Sequence, residues 1–369
     1  MTVTPSVPAA PERERVLVAL SGGVDSAVAA ALLAEAGHDV TGVHLRLADT
    51  DPQVVGQGCC GLDDAQDARR TAQVLGIDFH VWDLRDVFRR EVQEPFAVGY
   101  AAGTTPNPCV TCNEKVKVGA VLRRALQLGF DAVATGHHAR IDPAVPSLRR
   151  AVDRRKDQSY VLHVHGPDEL ARLRTPVGDM TKDEVRAFAA DRDLRVAGKP
   201  DSYDVCFIPD GDTAGYLADE LPEVPGEIVD VDGTVLGTHD GAWRFTVGQR
   251  RGLGLDHHEP RFVVDVDAEA ARVTVGPRAA LATSWLTLDD VVWHAGDVPT
   301  GDVLVQIRAH GRPHLGQVVV RDDVVRIEVD EPFHGVAIGQ SCVVYDRDDD
   351  RVLAGGRIAR AARPLLPVA

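Results

Sequence analysis

Val16-Leu17-Val18-Ala19-Leu20-Ser21-Gly22-Gly23-Val24-Asp25-Ser26 is a short apolar strand that runs into a glycine turn, and the alanine-rich stretch 27–33 continues it as a helix. Glycines at 22 and 23 allow tight, positive-φ backbone close to a ligand, and the hydroxyls of Ser21 and Ser26 flank the first helical turn. A helix start carries about half a positive charge and several unpaired N–H donors, so phosphate or pyrophosphate is the natural occupant. No lysine follows the glycines, which excludes the G-x-x-x-x-G-K-[ST] loop.

Outward from this turn, apolar runs and helical patterns alternate with βα spacing. Strands are expected at 16–20, 39–45, 78–84 and 131–135, and helices near 26–36, 63–75, 86–100 and 114–128. Gly37, Gly76 and Gly129 stand where helix ends favour glycine. Such strands build a doubly wound parallel sheet with ligands at its carboxyl edge, where the S-G-G-V-D-S turn falls. A polar helix is expected over 181–193, opening on the capping box Thr181-Lys182-Asp183-Glu184.

After about residue 210 the pattern changes to short β-branched segments punctuated by Gly, Pro and Asp, including 226–230, 261–266 and 272–275, read as antiparallel strands. A second β region, sandwich or barrel, follows from about 286 to 361. The organisation expected is therefore α/β plus β. It comprises a flexible leader 1–14, a nucleotide-binding catalytic domain 15–209, a small central β domain 210–282 and a C-terminal β-barrel-like domain 283–369.

Composition narrows the class. A length of 369 residues suits two or three domains. No apolar run approaches the ~20 residues that span a bilayer, and residues 1–15 lack the apolar core of a signal peptide, so no membrane partner is expected and cytoplasm is the default. The net charge of −16 argues against generic nucleic-acid binding. Arg149, Arg150, Arg154, Arg155 and Lys156 form one local basic run opposed only by Asp153, so any RNA contact has to be local.

The six cysteines, at 59, 60, 109, 112, 206 and 342, are too few for a secreted disulfide scaffold. Cys342 reads as a buried, inert thiol and Cys59-Cys60 as structural or incidental. The segment Thr105-Pro106-Asn107-Pro108-Cys109-Val110-Thr111-Cys112-Asn113 lies between two helices, where its prolines enforce extended or turning backbone. A helix starting just after Cys112 would favour its thiolate. Cys206, in Lys199-Pro200-Asp201-Ser202-Tyr203-Asp204-Val205-Cys206-Phe207-Ile208, sits in a loop at the end of the α/β region and could face the same cleft. The spacing alone leaves incidental thiols, a zinc half-site and a redox dithiol open.

The glycine turn resembles the pyrophosphatase loop of enzymes that split ATP into AMP and pyrophosphate. Taken with T-P-N-P-x-x-x-C-N, T-G-H-H (135–138), K-D-Q-S-Y (156–160), C-F-I (206–208) and F-T-V-G-Q-R-R-G-L-G (245–254), it makes the chain resemble the tRNA-specific 2-thiouridylases over roughly 15–361. The resemblance implies ATP, with Mg2+, held by Ala19, Leu20, Ser21, Gly22, Gly23, Val24, Asp25 and Ser26, with Leu45 and Gly136 lining the adenosine pocket. It implies Cys112 as nucleophile and Cys206 as the persulfide carrier, ending as a Cys112–Cys206 disulfide that a reductant resets. For RNA it implies contacts at His137, Lys156, Asp157, Gln158, Arg308 and Gln340. The implied partners are lysine, glutamate and glutamine tRNAs and a sulfur-relay or cysteine desulfurase protein.

One position departs from that pattern. Many family members carry aspartate, with a general acid or base role, where this chain has Cys109. Its thiol leaves open an alternative in which Cys109, Cys112 and Cys206 hold a [4Fe-4S] cluster, as related thiolases do. An ATP-dependent amide-forming ligase with the same loop would need neither Cys112 nor Cys206, and an adenine-nucleotide sensor would release no pyrophosphate.

Overall fold

The computed structural model describes residues 13–48, 62–200, 205–208, 211–256 and 259–362. Cys59 and Cys60 lie outside them. Strands β1 (Arg15–Ala19), β2 (Asp39–Arg46), β3 (Asp78–Asp83) and β4 (Ala132–Ala134) form where the apolar runs predict them. A hairpin of β5 (Ala139–Asp142) and β6 (Ser147–Arg150) and a two-residue strand β7 (Leu173–Arg174) follow. The parallel sheet runs β3-β2-β1-β4-β7.

Alternation along β1 shows why this sheet is covered on both faces. Leu17 joins a cluster with Val43, Trp82, Phe88 and Val121, while Val16 and Val18 face Ala30, Leu33, Ala68 and Ala72 on the opposite side. All three β1 residues are fully buried, each contributing about 1.5–3 kcal/mol relative to exposure. Helix Val24–Glu35 returns from β1 and packs its far side on helix Lys182–Ala190, whose Thr181–Glu184 capping box forms as expected.

The small domain contains β8 (Gly226–Asp230), β9 (Val235–His239), β10 (Phe262–Asp267) and β11 (Arg272–Gly276), ordered β10-β11-β8-β9. The expectation of antiparallel strands holds for β8–β9 and β10–β11 but not for the central pair, since β11 runs parallel to β8. Each hairpin partner occupies an outer edge, which leaves the two inner strands to meet through a crossover. The last β region closes into a six-stranded barrel of β12 (Ala282–Trp293), β13 (Val303–Gln306), β14 (His314–Arg321), β15 (Val324–His334), β16 (Ser341–Tyr345) and β17 (Val352–Ala361). Closure leaves no open edge.

Three members of the basic run, Arg149, Arg150 and Arg154, reach across to fasten the barrel to the nucleotide-binding domain. Arg150 is 6% exposed; its guanidinium donates to Asp157 at 2.8 Å, Asp349 at 2.8 Å and Gln306 at 2.7 Å, and lies 3.6 Å from the centre of the Tyr345 ring. Arg140, Arg149 and Arg154 all converge on Asp350. Arg155 pairs with Asp153. A cluster of Leu148, Tyr160 and Leu162 with Val343, Tyr345 and Val352 lies beneath this seam.

Candidate active site

The glycine turn sits at the carboxyl end of β1, between β2 and β4, where an open α/β sheet reverses its strand order and leaves a crevice. Gly22 has φ +83°, and a Cβ there would stand 2.3 Å from the Asp64 carbonyl oxygen, so both conformation and space demand glycine. Ser26 Oγ accepts from Ser21 N at 3.1 Å and lies 3.1 Å from Ser21 Oγ, while Gly23 N donates to Ser21 Oγ at 3.3 Å. These bonds shape the cradle before any anion arrives. Gly136, in the loop after β4, closes the other wall, and a Cβ there would meet Ser26 N at 2.5 Å. Leu45 lies inside β2, one residue before its end.

Asp25 is the loop's fixed charge. Lys182 Nζ donates to its two carboxylate oxygens at 2.8 and 2.7 Å, and His138 Nε2 donates at 3.0 Å. Burial alone would raise this carboxyl, but the His138 hydrogen bond and the Lys182 charge outweigh it and hold Asp25 below the usual carboxylate range. Lys199 reaches the turn from the far end of the domain and donates to Gly22 O at 3.0 Å, Asp64 at 2.7 Å and Asp67 at 2.8 Å. Desolvation opposes its charge, yet the two carboxylates raise its pKa. Lys182 and Lys199 escaped the sequence reading because neither lysine follows the glycines in the chain, and His138 stood in the T-G-H-H motif without a role. The Thr181 capping box and the K-P-D segment were the only signals near the two lysines.

The cysteine segment departs from its expected geometry. Its helix starts at Pro108 and not after Cys112: Asn107 Oδ1 accepts from Cys109 N at 3.1 Å and Val110 N at 3.2 Å, and Pro108 occupies the first helical position. The helix start therefore belongs to Cys109, while Cys112 lies a turn further in and is buried. The helix continues through an eight-residue π segment, Asn113–Ala120, into Val121–Gln127. Wide turns of this kind are concentrated at functional sites.

Cys112 belongs to the apolar cluster that also holds Leu45, Trp82 and Phe88, and Cys206 and Phe207 pack onto the same cluster. Phe207 anchors this contact, with its ring 5.7 Å from Phe88, 5.5 Å from Phe96 and 5.2 Å from Tyr216. Among the described residues no group of three His, Cys, Asp or Glu side chains could hold a metal ion. Cys109, Cys112 and Cys206 do not fit a cluster, and the [4Fe-4S] alternative is not supported. The prolines were expected to keep both cysteines in extended or turning backbone between two helices, whereas both lie on the short helix Pro108–Cys112, with Cys112 buried in the apolar cluster.

The residues expected to meet RNA divide by geometry. Gln158 is exposed, and its Oε1 accepts from His138 N at 2.9 Å. Asp157 is turned inward, accepting from Ala151 N at 2.9 Å and Ser159 Oγ at 2.8 Å besides Arg150. His137 lies 2.8 Å from Thr135 Oγ1, and desolvation followed by the nearby Lys117 charge holds its pKa down to about 3. Arg308 is exposed and donates to Gly335 O at 2.5 Å. Gln340 Nε2 donates to Thr105 O at 2.7 Å and Thr105 N to Ile338 O at 2.8 Å, so the barrel grips the segment that leads into Cys109. His137 adjoins the nucleotide cradle and Gln340 the cysteine segment, while Arg308 stands at the seam between small domain and barrel.

A phosphate cradle at the switch point of a parallel sheet, with two cysteines on an apolar cluster beside it, defines an enzyme of the nucleotide-binding HUP class. The family models described as tRNA methyl transferase HUP domain, tRNA methyl transferase PRC-barrel domain and Aminomethyltransferase beta-barrel domain match residues 14–210, 214–277 and 283–358. The chain belongs to the tRNA-specific 2-thiouridylase family. It is 54% identical to the tRNA-specific 2-thiouridylase MnmA of Salinispora tropica, over 94% of this chain and 99% of that protein. The corresponding figures are 53% over 93% and 98% for the MnmA of Frankia casuarinae, and 49% over the whole of both chains for that of Streptomyces avermitilis.

Proposed function

We propose that this protein carries out ATP-dependent 2-thiolation of the wobble uridine, position 34, of tRNA. The observation that carries the reading is the single apolar cluster shared by Leu45, at the carboxyl edge of the nucleotide site, Cys112 and Cys206. Activation of a carbonyl oxygen and delivery of sulfur need neighbouring sites, because the activated base has to meet sulfur before it meets water.

The uridine C2 oxygen is a poor leaving group. Its attack on the ATP α-phosphorus releases pyrophosphate and converts it to an adenylate, so AMP becomes the leaving group. The Ser21–Ser26 cradle offers N–H donors and hydroxyls to the phosphates, and Asp25, held ionised by Lys182 and His138, fixes the turn. Mg2+ would enter on the nucleotide's own phosphates. A persulfide on Cys206 supplies the sulfur: Cys112 thiolate attacks the Cys206 Sγ, the terminal sulfur leaves with its electron pair toward C2, and AMP departs. The two cysteines end as a disulfide, and an external thiol reductant returns them to thiols. A flipped anticodon-loop base suits this buried arrangement, since flipping costs least in an unpaired loop. Lysine, glutamate and glutamine tRNAs as acceptors, and a sulfur-relay or cysteine desulfurase protein as donor, complete the proposal. Among the described residues no helix is long and apolar enough to cross a membrane.

The test is thiolation of unmodified tRNA with ATP and a persulfide donor. Pyrophosphate release that depends on tRNA and survives Cys112→Ala, with thiouridine formation abolished, supports the order of steps. Cys206→Ser should also abolish thiolation, and Cys109→Ser should retain it. Absence of thiouridine from the wild-type reaction refutes the proposal, and pyrophosphate release coupled to amide formation would point to the ligase instead.

A further inference from the structure

The segment Phe245-Thr246-Val247-Gly248-Gln249-Arg250-Arg251-Gly252-Leu253-Gly254 has no part in the chemistry above, yet it is built as a rigid turn. Phe245, Val247 and Leu253 are buried beneath it. Gln249 locks it, its Oε1 accepting from Thr246 N at 3.0 Å and its Nε2 donating to Arg251 O at 3.0 Å. Two further bonds, Gly248 N to Val263 O at 2.8 Å and Val263 N to Gln249 O at 2.9 Å, tie the turn to β10. Gly252 and Gly254, at φ +74° and +65°, reverse the chain. The result presents Arg250 and Arg251, both exposed, with Arg250 lining a concavity of about 260 Å3 together with Leu255, Glu259 and Arg261.

Neither of these two arginines is neutralised among the described residues of the fold. In a chain of net charge −16, acidic partners are abundant, and Arg85, Arg89, Arg90 and Arg149 each hold one. Among the described residues Arg250 and Arg251 have none. Glu259, the acid lining the concavity among the described residues, is already engaged, since Arg261 donates to it at 3.2 Å. Two adjacent guanidiniums on a braced turn, left without a counter-charge, fit an anion with spaced charges better than a single small ion.

Position supplies the second line of support. A Cβ at Gly248 would lie 3.5 Å from Gly335 Cα and 3.6 Å from Arg308 Nη2, so the base of the turn packs on the barrel at Arg308. The neighbouring seam reaches the cysteine segment, because a Cβ at Gly103 would stand 2.8 Å from Val266 O of β10 and Thr105 pairs with Ile338 of the barrel. The turn thus belongs to the junction where all three domains meet the approach to Cys109 and Cys112.

We propose that the Gln249–Leu255 turn is an RNA-phosphate site, with Arg250 and Arg251 holding backbone phosphates of the same tRNA whose uridine enters the active site. This rests on the reading of the chain as a tRNA-modifying enzyme. Phosphate contacts fix register without reading sequence, so the turn aligns the tRNA and leaves base choice to the pocket.

Binding of fluorescently labelled unmodified tRNA is measured by anisotropy from 50 to 300 mM KCl for the wild type and for Arg250→Gln/Arg251→Gln. Two lost phosphate contacts at roughly 0.7 counterions each flatten the slope of log Kd against log salt by about 1.4, which weakens binding about 25-fold at 0.1 M. Thiolation by the variant should show a raised KM for tRNA with kcat retained, and Arg250→Lys/Arg251→Lys should recover affinity and slope. Thermal melts and the two single Gln variants separate a local effect from misfolding. Wild-type affinity and slope in the double Gln variant overturn the site. A wild-type protein that neither binds nor thiolates tRNA overturns the parent reading instead.

Discussion

Replacing Arg150 by methionine should destabilise the protein by about 3 kcal/mol, through a buried pair inside the nucleotide-binding domain and its bonds across to the barrel. The Arg150 side chain is 7% exposed and that of Asp157 5%, so the substitution leaves a buried carboxylate without its cation. Breaking such a pair costs about 3–5 kcal/mol. The lower end applies because Asp157 keeps its bonds from Ala151 N, Ser159 N and Ser159 Oγ, and Asp349, 40% exposed, can turn to water. Gln306 Oε1 also loses its donor, for about 1 kcal/mol more, while methionine preserves part of the contact with Tyr345. At about 2–4 °C per kcal/mol the melt should fall by roughly 6–12 °C. Urea and thermal unfolding measure this, with Arg154→Met as control: its side chain is 46% exposed and its contact 3.4 Å long, so its loss should cost under about 0.5 kcal/mol. Adding Asp157→Asn to Arg150→Met should lose at least about 1 kcal/mol less than the sum of the single variants. A loss below about 1 kcal/mol for Arg150→Met, with tRNA affinity reduced instead, would refute the inter-domain role and return the run to RNA binding.

Gly136→Ala forces a methyl to within 2.5 Å of Ser26 N, so ATP affinity should fall at least tenfold with the fold retained; unchanged ATP binding by calorimetry would remove Gly136 from the cradle wall. Gln340→Ala releases Thr105 O, and loss of that hydrogen bond, about 1 kcal/mol, should lower thiolation kcat about fivefold without moving the tRNA Kd; a raised Kd would assign Gln340 to RNA instead. His163 is buried with neither ring nitrogen partnered, and desolvation, then the nearby His294 and His165, hold its pKa down to about 3 against about 6.5 unfolded. The unfolded chain binds the extra proton between those values, so stability falls as pH drops below about 6.5, by about 1.4 kcal/mol per pH unit from this residue. His163→Gln should flatten that slope in urea titrations from pH 7.5 to 5, and an unaltered slope counts against it. Cys342 is fully buried and burial pushes its thiol pKa up, so iodoacetamide should label it only after unfolding, as peptide mass analysis would show.

The sequence by itself determined the elements and the chemistry that adjacent residues encode. Continuous apolar runs alternating with helical patterns specified β1 to β4, and S-G-G-V-D-S specified a phosphate turn, because both depend on local sterics and local hydrogen bonds. The capping box at Thr181 was legible for the same reason. Tertiary structure alone decided which distant groups meet. Lys182 and His138 reach Asp25 across 157 and 113 residues, and Gln340 reaches Thr105 across 235. The parallel pairing of β8 with β11 likewise depends on which edges the hairpins leave free. The basic run shows the division most clearly: five cations stand within eight residues, and only the fold brought Asp349 and Asp350 from some 200 residues away to pair with Arg149, Arg150 and Arg154. Charge along a chain is local, but its compensation is set by whatever packing brings within a few ångströms, and no local pattern records that partner.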